Sequence, residues 1–263
     1  MNEGLQMRPD LTEEEIKAAV IETFTAKAIE SDECFPYCFS LHCARGTIPE
    51  AEAIGYMRED LEQIPDEVLM GLGCGNPLVG ITIKPGDTVV DLGSGSGIDV
   101  FLASKKVGEQ GKVIGIDMTE EMVQKATKTA AHYGYDNVEF HVAEIEDLPI
   151  DNCTADVVIS NCSVNLSLDK PRVFNEAFRA LKPGGVLGLA DVVVTRELSE
   201  ETKNSIDAWT SCFAGALLKQ EYLDTIIRAG FENVEIVAER EFNDGNSSER
   251  VRSIIVRAQK PAN

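Results

Sequence analysis

The segment "VVDLGSGSG", residues 89–97, sets a short apolar run directly against three glycines at alternate positions, and "GIDVFLASKKVG" follows with helical composition. Gly93, Gly95 and Gly97 let the backbone turn sharply and approach a ligand where side chains would collide. A strand, a glycine turn and a helix in this order open a βαβ unit. From Lys84 onward the alternation repeats: strands in "KVIGIDM", "NVEFHVA", "ADVVISN" and "GGVLGLADVVV", helices in "TEEMVQKATKTAAHYG" and "PRVFNEAFRAL". Apolar strands separated by helices imply a parallel sheet covered on both faces and wound right-handedly. "EYLDTIIRAGFENVEIV" and "RSIIVRAQ" add a last helix and two closing strands.

The residues before this pattern read differently. "LTEEEIKAAVIETFTAKAIE" opens a helix, with Thr12 and Glu15 as a capping box and Leu11 against Ile16 as a hydrophobic staple. "SDECFPYCFSLHCARGTIP" has no sustained periodicity and reads as loop or short turns. A second acidic helical stretch then leads to "GLGCGNPL", residues 71–78, whose glycines and proline make a loop. The expected organisation is an N-terminal arm or lid over 1–80, a cofactor-binding core over 81–195, and over 196–263 an insertion that covers the substrate, followed by the closing elements. The fold class expected is α/β, a doubly wound, seven-stranded, mostly parallel sheet.

Composition narrows the partners. Forty-five acidic against 24 basic residues give a formal net charge of −21, which repels phosphate backbones and anionic membranes, so neither nucleic acid nor a membrane is an expected partner. No long apolar run and a polar, acidic start exclude a transmembrane helix and a signal peptide, and a cytoplasmic location is expected. Seven cysteines, at 34, 38, 43, 74, 153, 162 and 212, include no CxxC pair. An odd count in a reducing compartment points to thiol chemistry or a soft metal rather than to a disulfide scaffold.

The glycine turn gains force from Asp117, which ends the second strand where an acid can hold both hydroxyls of a ribose. Met118 follows and can pack on an adenine face. "AEIEDLP" places Glu144 at the rim, with the Ile145 backbone N–H beside it. Taken in order, "VVDLGSGSG", "IGIDM", "AEIEDLP", "DVVISN" and "LKPGG" resemble the class I S-adenosylmethionine-dependent methyltransferases, which have a Rossmann-like fold. The resemblance implies S-adenosylmethionine as cofactor. It implies Asp91, Gly93, Gly95 and Gly97 around the methionine part, Asp117 on the ribose and Glu144 with Ile145 on the adenine, with Met118 and Asn161 completing the cofactor-binding set.

For the methyl acceptor, Cys162 stands one residue past "VVISN", where acceptor meets cofactor in an open α/β sheet. Cys212, in "WTSCFAGAL", lies in the insertion that commonly covers an acceptor pocket, and Cys74 comes from the arm. Three thiols from three segments suit a soft centre. The motifs "GLGCGNPL", "SNCSVNLSLDK" and "CFAGAL" resemble those of arsenite methyltransferases of the short prokaryotic type, over roughly residues 66–258. That resemblance implies Cys74, Cys162 and Cys212 as thiolate ligands of trivalent arsenic, with arsenite and then methylarsenite as substrates. It also implies a relay cysteine in the N-terminal segment that forms a disulfide, which a thioredoxin-like protein or a small thiol reopens. Cys43, nearest in sequence to Cys74 among Cys34, Cys38 and Cys43, is the choice for the relay. Cys34, Cys38, His42 and Cys43 also have the ligand types of a structural zinc site, but not a common spacing. His132 and His141 read as structural or surface residues and Cys153 as a bystander. Two other classes compete: a methyltransferase for a small organic acceptor, which needs a general base or an apolar pocket, and a metalloid-binding protein without catalysis, which does not need "DLGSGSG" with Asp117.

Overall fold

A computed structural model describes residues 11–29, 46–242 and 251–262. Cys34, Cys38, His42 and Cys43, the candidates for relay or zinc, lie outside the described residues. Helix α1 (Glu13–Ile29) starts where the capping box puts it: the Glu15 N–H donates to Thr12 Oγ1 at 3.2 Å and the Thr12 N–H to Glu15 Oε2 at 2.9 Å. The acidic stretch that follows forms short pieces instead of one helix. These are α2 (Ile48–Ala53), α3 (Arg58–Leu61) and a 3-10 turn at Asp66–Val68. Gly55, at φ 102°, and Pro65 interrupt it.

The sheet then forms in the order the alternation implies: β1 (Thr88–Leu92), α4 (Ile98–Val107), β2 (Lys112–Asp117), α5 (Glu120–Tyr133), β3 (Val138–Val142), β4 (Ala155–Asn161), α6 (Lys170–Ala180) and β5 (Leu181–Val194). Short helices α7 (Glu200–Lys203) and α8 (Ile206–Thr210) precede α9 (Lys219–Arg228), β6 (Glu232–Phe242) and β7 (Val251–Gln259). The seven strands lie in the order β3-β2-β1-β4-β5-β7-β6. Strands β1 to β5 pair in parallel, and β7 runs antiparallel to both β5 and β6. The order reverses between β1 and β4. A crevice therefore opens beyond their carboxyl ends, where the loops to α4 and α6 depart to opposite faces.

Both faces of the sheet are covered, so neighbours that point opposite ways along β1 are both buried: Val89 and Val90 are each 0% exposed. Val90 and Leu92 pack with Phe174 of α6 and with Tyr222 and Ile226 of α9. Val89 packs with Phe101 of α4 and, from the segment before the sheet, with Leu61, Ile64 and Val68. Residues 61–68 thus share a core with β1. Ile16 and Val20 of α1 pack instead on Trp209 and Ala214. Among the described residues, no helix is long and apolar enough to cross a membrane.

Phe174 is fully buried and meets Tyr222 edge-on at 5.7 Å between ring centroids. Phe174→Ala should lower the unfolding free energy by about 3–5 kcal/mol, read as a shifted denaturant midpoint with an unchanged slope.

Candidate active site

At the switch point the glycine turn is held by its neighbours. The N–H groups of Gly93 and Ser94 both donate to the Ile116 carbonyl, at 2.7 and 2.9 Å, and the Gly95 N–H donates to Asp117 Oδ2 at 2.9 Å. Asp117 Oδ1 accepts from the Thr119 N–H at 2.8 Å. The first and third glycines are close to other atoms: a Cβ on Gly93 would lie 2.0 Å from Ser163 Oγ, and one on Gly97 2.9 Å from the Phe101 ring. Gly95 faces open space. Gly97, at φ 97°, caps α4 and packs on aromatic rings, whereas Gly93 and Gly95 line the cleft.

That cleft, with a volume of about 1430 Å³, exceeds the usual size of a site for one small ligand. Asp91, Asp117, Met118, Glu144, Ile145 and Asn161 all line it. Helix α1 roofs part of it, with Lys17 paired to Glu144 and Thr25 Oγ1 donating to Glu121 at 2.9 Å.

The floor is acidic and buried. Asp91 is held well above the ordinary carboxylate range by burial and by the charges of Asp99 and Asp117. Asp99, on the first turn of α4, is pushed up to about 7 by burial, although hydrogen bonds from Tyr56 and Asn161 favour its ionised form. Burial also raises Asp117 against the N–H bonds from Thr119 and Gly95. Among the described residues, no lysine or arginine forms an ion pair with any of the three. Such a floor attracts a cation.

Above it, three cysteines approach one another. Cys162 follows β4 directly and adopts φ 60°, while Cys212, just past α8, adopts φ 65°. The left-handed region costs a side-chain-bearing residue roughly 1–2 kcal/mol, and strain of this kind concentrates at functional sites. Cys212 Sγ donates to the Cys162 carbonyl at 3.1 Å, and Cys74 Sγ lies 3.9 Å from Asn161 Oδ1. Cys74 Sγ, Cys162 Sγ and a carboxylate oxygen of Asp191 lie within 4.8 Å of one another. Burial raises the Cys74 thiol. Cys162 stands well above the ordinary thiol value: the neighbouring Cys212 thiol opposes the rise, but the neighbouring Cys74 thiol and burial prevail. Cys212 is raised by the neighbouring Cys162 thiol and by burial. All three are therefore neutral thiols near pH 7.

Asn161 lines the cleft, but its amide is occupied by the first cysteine loop. Its Oδ1 accepts from the Cys74 N–H at 3.0 Å, and its Nδ2 donates to the Gly75 carbonyl at 2.7 Å and to Tyr56 Oη at 2.8 Å. Tyr56 Oη donates to Asp99 at 2.9 Å. His132, His141 and Cys153 lie outside the cleft lining.

A methyltransferase domain model matches residues 83–230. The arsenite methyltransferase of Halobacterium salinarum is 41% identical over 220 residues, covering 81% of this chain and 56% of that protein. The human arsenite methyltransferase is 39% identical over 67% of this chain and 49% of its own length. The solved structure of an arsenic(III) S-adenosylmethionine methyltransferase from Chlamydomonas reinhardtii superposes with a TM-score of 0.67 at 34% identity, covering 81% of this chain and 74% of that one.

The chain belongs to the arsenite methyltransferase family.

It spans about half the length of the curated relatives it matches. The cofactor of a methyltransferase of this family is S-adenosylmethionine, and the residues present fit it. A cation with an ammonium and a sulfonium suits a floor of three buried carboxylates, and Gly95, on the cleft wall and facing open space, lets a ligand approach the backbone. Ser94 Oγ, buried and without a hydrogen-bond partner among the described residues, marks a polar position at this loop.

Sequence reasoning did not single out Tyr56, Asp99 or Asp191. Asp191 interrupts the apolar run "LGLADVVV" of β5 and Asp99 the apolar helix start "GIDVFLA". A charged residue inside an otherwise buried element was the available signal. Asp191 accepts from Tyr222 Oη at 2.9 Å and is pushed up to about 7 by burial.

The raised acid at Asp99 has a consequence for pH. In the free protein its proton stabilises the fold fully below the ordinary carboxylate range, and this contribution is lost as pH rises through about 7. A bound cation favours the ionised form. S-adenosylmethionine affinity should therefore rise from about pH 6 to about pH 8 and then level off. Calorimetric titration at several pH values checks this, and Asp99→Asn should bind more weakly with a flatter profile.

Proposed function

We propose that this protein transfers methyl groups from S-adenosylmethionine to trivalent arsenic, taking arsenite first and methylarsenite second. The observation that carries this reading is the approach of Cys74, Cys162 and Cys212 from three separate segments, with Cys162 and Cys212 on the wall of the cleft that the glycine turn also lines. Family membership supports the same conclusion.

The chemistry follows from the thiols. Arsenite enters as its neutral trihydroxide, and each As–S bond that forms releases one water carrying that thiol's proton. Neutral thiols therefore load a neutral substrate without leaving a charge in a buried site, in accord with their raised protonation range. Three sulfurs on trivalent arsenic leave its lone pair opposite them, and this nucleophile needs no general base. S-adenosylmethionine supplies the methyl group, its sulfur keeping the bonding pair. The cysteines hold the lone pair in line with that methyl, and such alignment is worth up to about 7–11 kcal/mol.

Transfer raises arsenic formally to the pentavalent state, and two electrons must return to it. Two cysteine sulfurs that join in a disulfide provide them, and an external dithiol or small thiol then reopens the bond. Cys43, with Cys74, is our assignment for this relay. Asp117 with the Gly95 turn holds the ribose, Glu144 and Ile145 the adenine, and Met118 packs beside it.

The test is methyl transfer from labelled S-adenosylmethionine to arsenite with a thiol reductant. The native chain should form methylated arsenic, and Cys162→Ser and Cys212→Ser should each lose at least roughly 99% of the rate, about 2.7 kcal/mol of transition-state stabilisation. A folded, cofactor-binding native chain that forms no arsenic product would overturn the assignment. Asp117→Ala should abolish transfer while leaving arsenite binding in place, which separates an enzyme from a metalloid binder.

A further inference from the structure

Of the three cysteines, Cys162 and Cys212 line the cleft, whereas Cys74 is set back from it and is 0% exposed. Its sulfur reaches the substrate only if its loop is held in one place. No strand or helix does this, because "GLGCGNPL" lies outside every regular element. Three side chains from the sheet hold it instead. The Cys74 N–H is taken by Asn161 of β4, and the Cys74 carbonyl accepts from Ser253 Oγ of β7 at 2.6 Å and from the Arg240 guanidinium of β6. Arg240 and Ser253 are cross-strand partners in the β6–β7 register, so they deliver two donors to one carbonyl from adjacent strands and fill both its lone pairs. The same guanidinium donates to the Ala53 carbonyl at 2.9 Å and the Ile54 carbonyl at 2.8 Å, which fixes the end of α2 to the cysteine loop.

We propose that Arg240 and Ser253 are positioning residues that present Cys74 as the third sulfur, and so control whether the site accepts an arsenical with three exchangeable bonds. This inference rests on the reading of the three cysteines as arsenic ligands. Arsenite has three bonds to exchange and needs Cys74. Methylarsenite has one bond held by carbon and two to exchange, and Cys162 with Cys212 on the cleft wall satisfies both. A displaced Cys74 therefore harms the first substrate and spares a single transfer to the second, which is complete before the Cys43–Cys74 relay is needed. A loss of fold or of cofactor harms both equally.

The experiment compares the native chain with Ser253→Ala, Ser253→Thr and Arg240→Met, in single-turnover methyl transfer to arsenite and, separately, to methylarsenite, so that the relay is not called on. The number of sulfurs bound to arsenic is read by X-ray absorption of the arsenite complex. Ser253→Ala and Arg240→Met should lose roughly tenfold or more of the arsenite rate, while methylarsenite transfer stays within about twofold. Their arsenite complexes should show two sulfurs in place of three, and Ser253→Thr, which keeps the hydroxyl, should restore the third. Ser253→Ala removes a single oxygen and carries the test even where Arg240→Met does not fold. Equal losses on both arsenicals, or three sulfurs retained in Ser253→Ala, would overturn the positioning role alone. A native chain that binds arsenite through no sulfur overturns the ligand assignment, and this inference with it.

Discussion

The amide of Asn161 joins the two halves of the site. Its oxygen accepts from the Cys74 N–H, and its nitrogen donates to the Gly75 carbonyl and to Tyr56, which in turn donates to the buried acid Asp99 beneath the glycine turn. One side chain at the carboxyl end of β4 thus couples the loop that carries the first thiol to the acidic floor. The remaining geometry depends on it, because Gly73 and Cys74 have no regular ladder to belong to. A Cβ on Gly73 would meet the Asn161 amide at 2.8 Å, so only glycine allows the loop to approach this closely.

The acidic floor and the cysteines differ in their electrostatics. The floor concentrates three buried carboxylates, and burial without a basic partner raises their protonation range until a cation arrives. The three cysteines, by contrast, are raised by burial and by one another and stay neutral thiols. Asp191 adds a buried acid beside them and is itself bonded to Tyr222 on α9. Lys170 of α6 is held down to about 8 by burial, which the charge of Asp191 partly offsets. The acidic floor and the thiols therefore differ in electrostatics as well as in shape.

The backbone at the thiols is also specialised. Cys162 and Cys212 both occupy the left-handed region that cysteine rarely adopts, one at a strand end and the other after a short helix. Neighbouring structure enforces both: the Cys162 N–H is bound to the Ala190 carbonyl at 2.8 Å and the Cys212 N–H to the Trp209 carbonyl at 3.0 Å. Cys153, outside the cleft lining, shares this conformation at φ 54°, so what distinguishes Cys162 and Cys212 is their place on the cleft wall.

The sequence by itself determined the order of strands and helices from Lys84 onward, since apolar runs separated by amphipathic stretches have one favourable way to bury both faces of a sheet. It also determined the glycine turn before α4 and the acid at the end of β2, because those positions are tied to strand ends that hydrophobic pattern alone locates. The α1 capping box was equally legible, being local. The acidic stretch before Cys74 was not, because its helical composition is overridden by Gly55, Pro65 and the need of Leu61, Ile64 and Val68 to reach the sheet. Only the tertiary structure decided that Asn161 serves the Cys74 loop, that Asp99 and Tyr56 join it, and that Arg240 and Ser253 converge on one carbonyl 166 and 179 residues away in the chain. Those contacts depend on strand register and loop closure between distant segments, and no periodicity along one segment records which partner will face it across the sheet.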